Sequence, residues 1–350
     1  MIQTMKAGVL HRAGEISCEL IPVPEIGSKE VLVAIKVVGI CGSDVSRFLR
    51  GTSPYGFKIL GHECTGKVVE VGSEVTAVKL GERVAIMPVI PCRHCDFCQA
   101  GEYSLCNNFI RLGTRIDGCF AEYVKVSPEN LLKLPPTVDY ESTSLLEPSS
   151  VALHTVKRAG ITPGDVVVVL GCGPIGLLIA QWTKILGARR VFAVDIAPVK
   201  LRIARKTGIT DCINAKEEDP VEVVMRETQG RGADLVFEAA GSETTLEQSI
   251  RMTRKLGKVA LVGLVAQDVT LPQKTITDVL RHELTIYGVY DADTKPVPFN
   301  SWEASLHFIE TGRLDVKSLI THRFKIDEIK SVFEKVSRKR EDFNKVLFVF

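Results

Sequence analysis

Short apolar alternations such as EVLVAIKVVGI (30–40), punctuated by glycine and proline, fill the first third of the chain and predict an irregular β-rich region with little helix. The texture changes near Glu147. SSVALHTVKRAG (149–160) spaces its apolar residues as one face of a helix does, and DVVVVLG (165–171) is a wholly apolar run of the kind buried in a parallel sheet. Helix and strand signals then alternate. PIGLLIAQWTKILGA (174–188) predicts a helix, RRVFAVD (189–195) a strand, PVKLRIARKTG (198–208) a helix, ADLVFEAAG (233–241) a strand and TLEQSIRMTRKLG (245–257) a helix. KVALVGL (258–264) and ELTIYGVY (283–290) predict two more strands. This alternation predicts a doubly wound parallel α/β domain. After residue 293 it stops, and TKPVPF (294–299) leads to a helix at WEASLHFIETG (302–312) and a final strand, KVLFVF (345–350).

At 350 residues the chain is long enough for two cores. A 45% hydrophobic and 25% charged composition is that of a soluble protein, and a net charge of +2 gives no reason to expect nucleic acid as a partner. The basic KVSRKRED (335–342) reads as a solvated helix face. No apolar run reaches membrane-spanning length and MIQTMKAGVLHRAGE lacks a signal-peptide core, so the expectation is a cytoplasmic protein with no membrane partner. Ten cysteines change the picture more, because four fall within residues 92–106. Clustering of that kind points to metal rather than to the disulfide framework of a small secreted chain.

Between the apolar strand and its helix, GCGPIG (171–176) sets Gly171, Gly173 and Gly176 in a G-x-G-x-x-G arrangement. Gly171 permits the tight turn, Gly173 lets backbone approach a pyrophosphate, and Gly176 lets helix and strand pack closely. The helix start at Pro174 and Ile175 offers unpaired N–H groups and the positive end of the helix dipole to the phosphates. Asp195 ends the next strand, where a carboxylate accepts hydrogen bonds from an adenosine ribose and repels a 2′-phosphate. No arginine immediately follows it in DIAPVK, so NAD is expected over NADP.

Cys92, Cys95, Cys98 and Cys106, spaced C-x2-C-x2-C-x7-C, suit a closed four-thiolate zinc site, with an iron–sulfur cluster as the other chemical option. Only Arg93 is basic within this loop, unlike a zinc module built for DNA. Cys41 in GICGSD, His62 in GHE and Glu147 in LLEPSS are also metal-capable. Taken singly, each has a bland role as a buried apolar thiol, a hydrogen-bonded core imidazole or a helix start.

In order along the chain, GICGSD, GHE, the four-cysteine loop, DGCFAEY, EPSSVALH and GCGPIG resemble the zinc-dependent medium-chain alcohol dehydrogenases, over essentially the whole sequence. ICGSDVSRF, IPCRHCDFCQAGEYSLC and LGTRIDGCFAEY are most similar to the polyol branch, in particular to galactitol-phosphate enzymes. The resemblance implies a GroES-like catalytic domain (1–149), a Rossmann dinucleotide domain (150–292) and a C-terminal return to the catalytic domain (293–350), with the site in the cleft. It implies two zinc ions per chain, a catalytic one on Cys41, His62 and Glu147 and a structural one on the four-cysteine loop. Neutral His62 with anionic Cys41 and Glu147 would cancel the catalytic ion's charge. Glu63 is implied as a supporting acid or an exchanging ligand, and Ser43 as the hydroxyl that takes the alcohol proton. Asp44 supports the ligands or caps the following helix. Ser46 stands where many relatives carry a relay histidine, and Cys119 where many carry glycine.

The activity implied is reversible NAD-linked oxidation of a secondary alcohol on a polyol or polyol phosphate, galactitol 1-phosphate foremost, by a homodimer or homotetramer. An unphosphorylated sugar alcohol, a sugar acid or a 3-hydroxy amino acid is the alternative substrate. A zinc-stabilised NAD-binding protein without turnover is the alternative of another class. IYGVYDAD (286–293) lacks the arginines that mark sorbitol and threonine dehydrogenases near this position. Arg47, Arg50, Arg115 and Lys295 are the cations considered for a substrate phosphate.

Overall fold

The computed structural model describes residues 3–51, 56, 58–265, 267–293, 300–338 and 342–350. Lys295 lies outside them. The chain divides into two units, Met1–Glu147 with Asp293–Glu310 and Ile320–Phe350, and Pro148–Ala292 with Thr311–Leu319.

Among the described residues, the first unit is built on a seven-stranded sheet into which the end of the chain is inserted. Lys345–Val349 runs parallel to Ile320–Phe324 on one side and antiparallel to Val31–Gly39 on the other. Glu63–Val71, Arg83–Ile86 and Leu131–Lys133 follow in order, each antiparallel to its neighbour, and Tyr123–Val126 also pairs with Val31–Gly39. Val31–Gly39 is nearly all apolar because it has neighbours on both sides and little solvent on either face. Thr4–Arg12 and Glu15–Pro22 form a separate hairpin. The core is tied together by aromatics distant in sequence. Phe48, on the helix Gly42–Arg50, and Phe120 both meet Phe333 on the helix Ile329–Ser337, at ring-centroid distances of 5.2 and 5.8 Å, and Phe120 meets Phe348 edge-on at 5.4 Å.

The second unit is a six-stranded sheet, parallel throughout, in the order Asp211–Asn214, Arg190–Asp195, Val166–Leu170, Ala233–Glu238, Thr253–Leu261 and Thr285–Gly288. The order reverses beside Val166–Leu170, and the carboxyl ends of strands at such a reversal form a ligand crevice. Val166–Leu170 is fully buried, as its apolar run predicts. Several details differ from the sequence expectation, the unforeseen helix Gln273–Arg281 among them. The helix expected over 245–257 ends at Arg251, because Arg254 is drawn to Asp234 and Thr253–Leu261 joins the sheet. Asp211–Asn214 and the helix Pro220–Glu227 carry too little apolar pattern to be read in advance. Thr311–Leu319 groups with this unit, where the Gln181 amide donates to the Asp315 carbonyl at 3.1 Å and accepts from its N–H at 2.8 Å. Among the described residues, no helix is long and apolar enough to cross a membrane.

Phe120 is fully buried, so Phe120→Ala removes the ring that joins the C-terminal return to the first unit. The expected loss is about 3–5 kcal/mol of stability, read from the denaturant midpoint. A loss below about 1 kcal/mol would show that the return is held by other contacts.

Candidate metal centres and dinucleotide site

The four loop cysteines come together, with their ligand atoms all within 4.8 Å of one another. Cys92 Sγ lies 4.0 Å from Cys98 Sγ, and Cys95 Sγ lies 3.9 Å from Cys106 Sγ. A tetrahedron with zinc–sulfur bonds of 2.3 Å has edges of roughly 3.8 Å, so the sulfurs are already spaced for zinc. Arg93, with φ of 64°, makes the turn inside the loop, and the Cys92 N–H donates to Cys106 Sγ at 3.2 Å. The thiols differ in acidity. A hydrogen bond from the His94 backbone leads the effects that lower Cys92 to about 6, whereas burial pushes Cys98 up to about 12. Zinc uptake would therefore displace protons, the Cys98 proton among them.

The second group joins Cys41, His62 and Glu63. Cys41 precedes the helix Gly42–Arg50, and Asp44 in its first turn accepts the Cys41 N–H at 3.0 Å and the Gly61 N–H at 3.3 Å. Gly61 has φ of 91°, and a Cβ there would lie 2.6 Å from the Phe120 ring, so the turn that presents His62 requires glycine. His62 is fully buried, yet neither ring nitrogen makes a hydrogen bond among the described residues. Asp44 Oδ1 stands 3.4 Å from His62 Nδ1, which is an ion-pair separation and leaves Nε2 unsatisfied. Burial by itself would lower the His62 pKa, but the Asp44 carboxylate and Cys41 together outweigh it and hold it well above the ordinary imidazole value. Burial would raise Asp44, and His62 with the Cys41 N–H reverses this and holds it below its ordinary value.

Two cations complete the surroundings, and sequence reading missed both. Lys345, on the C-terminal strand, makes a short contact with Glu63 Oε2 and donates to the Ile40 carbonyl at 3.2 Å, with both side chains of the ion pair 2% exposed. Burial would lower the Lys345 pKa, but the charges of Glu63 and Cys41 raise it above the ordinary lysine value. Arg111 Nη2 lies 2.6 Å from Glu147 Oε1. Glu147 is thus buried and close enough to act electrostatically on Lys345, but its carboxylate is turned to Arg111 and is not in the group with Cys41 and His62. A lysine inside the apolar NKVLFVF was the signal available for Lys345, whereas nothing local singled out Arg111.

The donor set fits zinc. Among the described residues, Cys41 as thiolate, Asp44, Glu63 and Glu147 supply four negative charges against the two cations Lys345 and Arg111, leaving room for a divalent ion beside a neutral His62.

Ser43 is half-buried two residues beyond Cys41, and its carbonyl accepts from Arg47 at 3.2 Å. Arg50 is turned to Ser46 Oγ, and Arg115 donates to the Phe109 carbonyl at 2.8 Å while lying over the Phe109 ring. These arginines are engaged within their own segments.

In the second unit, Gly173 caps the helix Pro174–Ile185, and a Cβ there would meet nothing within 4 Å. A Cβ on Gly176 would lie 1.8 Å from the Gly171 carbonyl oxygen, which is the close helix–strand approach expected of the motif. Ile175 follows in the first turn. Asp195 Oδ2 accepts the Cys172 N–H at 2.8 Å and Oδ1 the Ala197 N–H at 2.9 Å, so the carboxylate is fixed where the strand ends. Lys200 Nζ is 3.8 Å from Asp195 Oδ2, a cation not weighed from the sequence.

A β-rich unit carrying two metal-capable groups and a parallel-sheet unit carrying a dinucleotide turn together define a metal-dependent oxidoreductase. Residues 27–136 match the alcohol dehydrogenase GroES-like domain, and residues 174–311 match the zinc-binding dehydrogenase family. Sorbitol dehydrogenase of Bacillus subtilis (strain 168) is 34% identical, with 99% of this chain and 97% of that protein covered. L-threonine 3-dehydrogenase of Bacillus licheniformis is 38% identical, with 94% and 95% covered. The crystal structure of galactitol-1-phosphate dehydrogenase from Escherichia coli is similar at a TM-score of 0.91 and 33% identity, covering 99% of this chain and all of that one, 100%. The chain belongs to the zinc-binding alcohol dehydrogenase family, with its GroES-like and Rossmann folds.

Lys345→Met leaves the Glu63 carboxylate buried without its cation, and stability should fall by about 3–5 kcal/mol in denaturant titration. Adding Glu63→Gln removes the stranded charge and should restore part of the loss. A double variant no more stable than Lys345→Met would show that the pair acts through packing instead.

Proposed function

We propose that this dehydrogenase reversibly oxidises a secondary alcohol of a polyol phosphate with NAD, galactitol 1-phosphate being the substrate we favour. The observation that carries the reading is the buried donor set around His62, whose unsatisfied nitrogen and missing positive charge suit a catalytic metal. Likeness to the galactitol-1-phosphate dehydrogenase structure supports the substrate. Identity to the L-threonine enzyme favours a 3-hydroxy amino acid as the second reading.

In this reading Cys41, His62 and Glu147 would hold the zinc, with Glu63 beside them as a supporting or alternative ligand, and the four-cysteine loop would hold the structural ion. Bound zinc supplies a Lewis acid that eases loss of the alcohol proton, and the nicotinamide supplies the hydride acceptor. Asp44 faces His62 Nδ1 and leaves Nε2 as the nitrogen that would bind the metal. The Ser43 hydroxyl takes the substrate proton and passes it outward. Gly173 and the helix start at Pro174 and Ile175 receive the pyrophosphate, and Asp195 receives the ribose hydroxyls.

The test is NADH absorbance with galactitol 1-phosphate, galactitol, sorbitol and L-threonine. The phosphorylated polyol should give the highest kcat/KM, and faster turnover of L-threonine or a free polyol would overturn the substrate. NAD should be preferred, and Asp195→Ala should shift the ratio toward NADP by about tenfold or more, because it removes a charged acceptor and leaves Lys200 to a 2′-phosphate. Faster wild-type turnover with NADP at equal subsaturating concentration would refute the cofactor assignment.

Glu147→Gln keeps the volume and removes the charge. Activity should fall at least about tenfold, with partial recovery in excess zinc, while the four-cysteine ion is retained. Near-normal rate and zinc content would remove Glu147 from the ligand set.

A further inference from the structure

Cys64 and Cys119 lie outside both metal-capable groups, and their sulfurs are 2.6 Å apart. Cys64 directly follows His62 and Glu63 at the start of the strand Glu63–Val71, and the two cysteines are 3% and 0% exposed. Their backbones are held in register. Gly118, Cys119 and Phe120 donate to the carbonyls of Ile59, Gly61 and Leu60 at 2.8, 2.9 and 3.0 Å. Gly118 is pressed so close that a Cβ there would lie 2.3 Å from the Gly61 oxygen. Two thiols used only as small apolar fillers have no need of such proximity, and the other cysteines outside the metal-capable groups face oxygen partners. Cys18 faces Asp327, Cys172 the Val194 carbonyl, and Cys212 the carbonyls of Leu201 and Ile209. A disulfide bond of about 2.05 Å requires the two sulfurs to close by only about half an ångström.

We propose that Cys64 and Cys119 form a reversible disulfide, a two-electron redox site joined to the segment that presents His62 and Glu63. The oxidant is a hydroperoxide. One sulfur attacks the peroxide oxygen, giving a sulfenic acid and releasing water, and the second sulfur displaces hydroxide from it to form the S–S bond and a second water. Two thiols and one hydrogen peroxide thus give one disulfide and two waters, and a dithiol reductant reverses the step. The bond ties the strand that follows His62 to the segment 118–120, which already pairs with the residues before His62. It also restricts the unfolded chain by closing the loop between the two positions.

The test uses the full-length, zinc-loaded protein. It is treated with hydrogen peroxide, denatured with N-ethylmaleimide to trap remaining thiols, digested without reductant and read by mass spectrometry, with zinc content measured alongside. A peptide linking Cys64 to Cys119, lost on treatment with dithiothreitol, is expected with the four-cysteine zinc retained. Its presence in protein purified in air supports the proposal equally. The melting temperature of the oxidised protein should exceed that of the reduced protein by about 3 °C or more, and Cys119→Ala should abolish both the link and the shift while leaving reduced-state turnover unchanged. Recovery of both cysteines as maleimide adducts after peroxide, or of Cys64 as an unlinked sulfinic acid, would overturn the proposal. The wild-type peptide decides this independently of how the variant folds.

Discussion

Charge buried away from water must be neutralised nearby, and in the first unit this requirement decides which parts of the chain have to meet. The start of one helix contributes Cys41 and Asp44, a strand entry contributes His62 and Glu63, and Arg111, Glu147 and Lys345 come from three further segments. Glu63 and Glu147 each find a cation among these groups, Cys41 and Asp44 do not, and the remaining deficit falls around His62. A hydrophobic core would tolerate several arrangements of these strands, whereas stranding Glu63 or Asp44 without its counterpart would cost several kcal/mol, so the charges select the register.

The two metal-capable groups solve different problems. The four-cysteine loop is contiguous, so its geometry is encoded within fifteen residues, 92–106, and its sulfurs already stand near tetrahedral spacing. All four side chains are thiols, and an ion enclosed by them would have no position for a substrate. The Cys41 group is dispersed, mixes sulfur, nitrogen and oxygen donors, and holds one carboxylate, Glu63, that is claimed by the Lys345 cation. Glu63 would have to leave Lys345 to bind a metal there.

What could be read from the sequence follows this division. The four-cysteine loop, the glycine turn and Asp195 are local patterns, and the alternating apolar runs announced most of the parallel sheet. Met252 and Leu256 extend a helical spacing past Arg251, but pairing with Ala233–Glu238 and the pull of Asp234 on Arg254 win over that local pattern. Lys345, Arg111 and Lys200 act through partners that the fold brings together, and spacing along the chain holds no record of such contacts. Glu147 was legible only by resemblance, and the arrangement seen, turned to Arg111, depends on a cation that no motif marks.

The strand Lys345–Val349 sits inside the first sheet, not at its rim, with Val31–Gly39 on one flank and Ile320–Phe324 on the other. During synthesis the first 147 residues therefore emerge with a sheet that lacks an interior member and with Glu63 lacking its cation. The parallel sheet, whose strands all fall between residues 166 and 288, can be assembled while the last strand is still inside the ribosome. Order of emergence thus runs opposite to order of completion. The unit made first is finished last, and the pocket of charge around His62 closes only once Lys345 has left the ribosome.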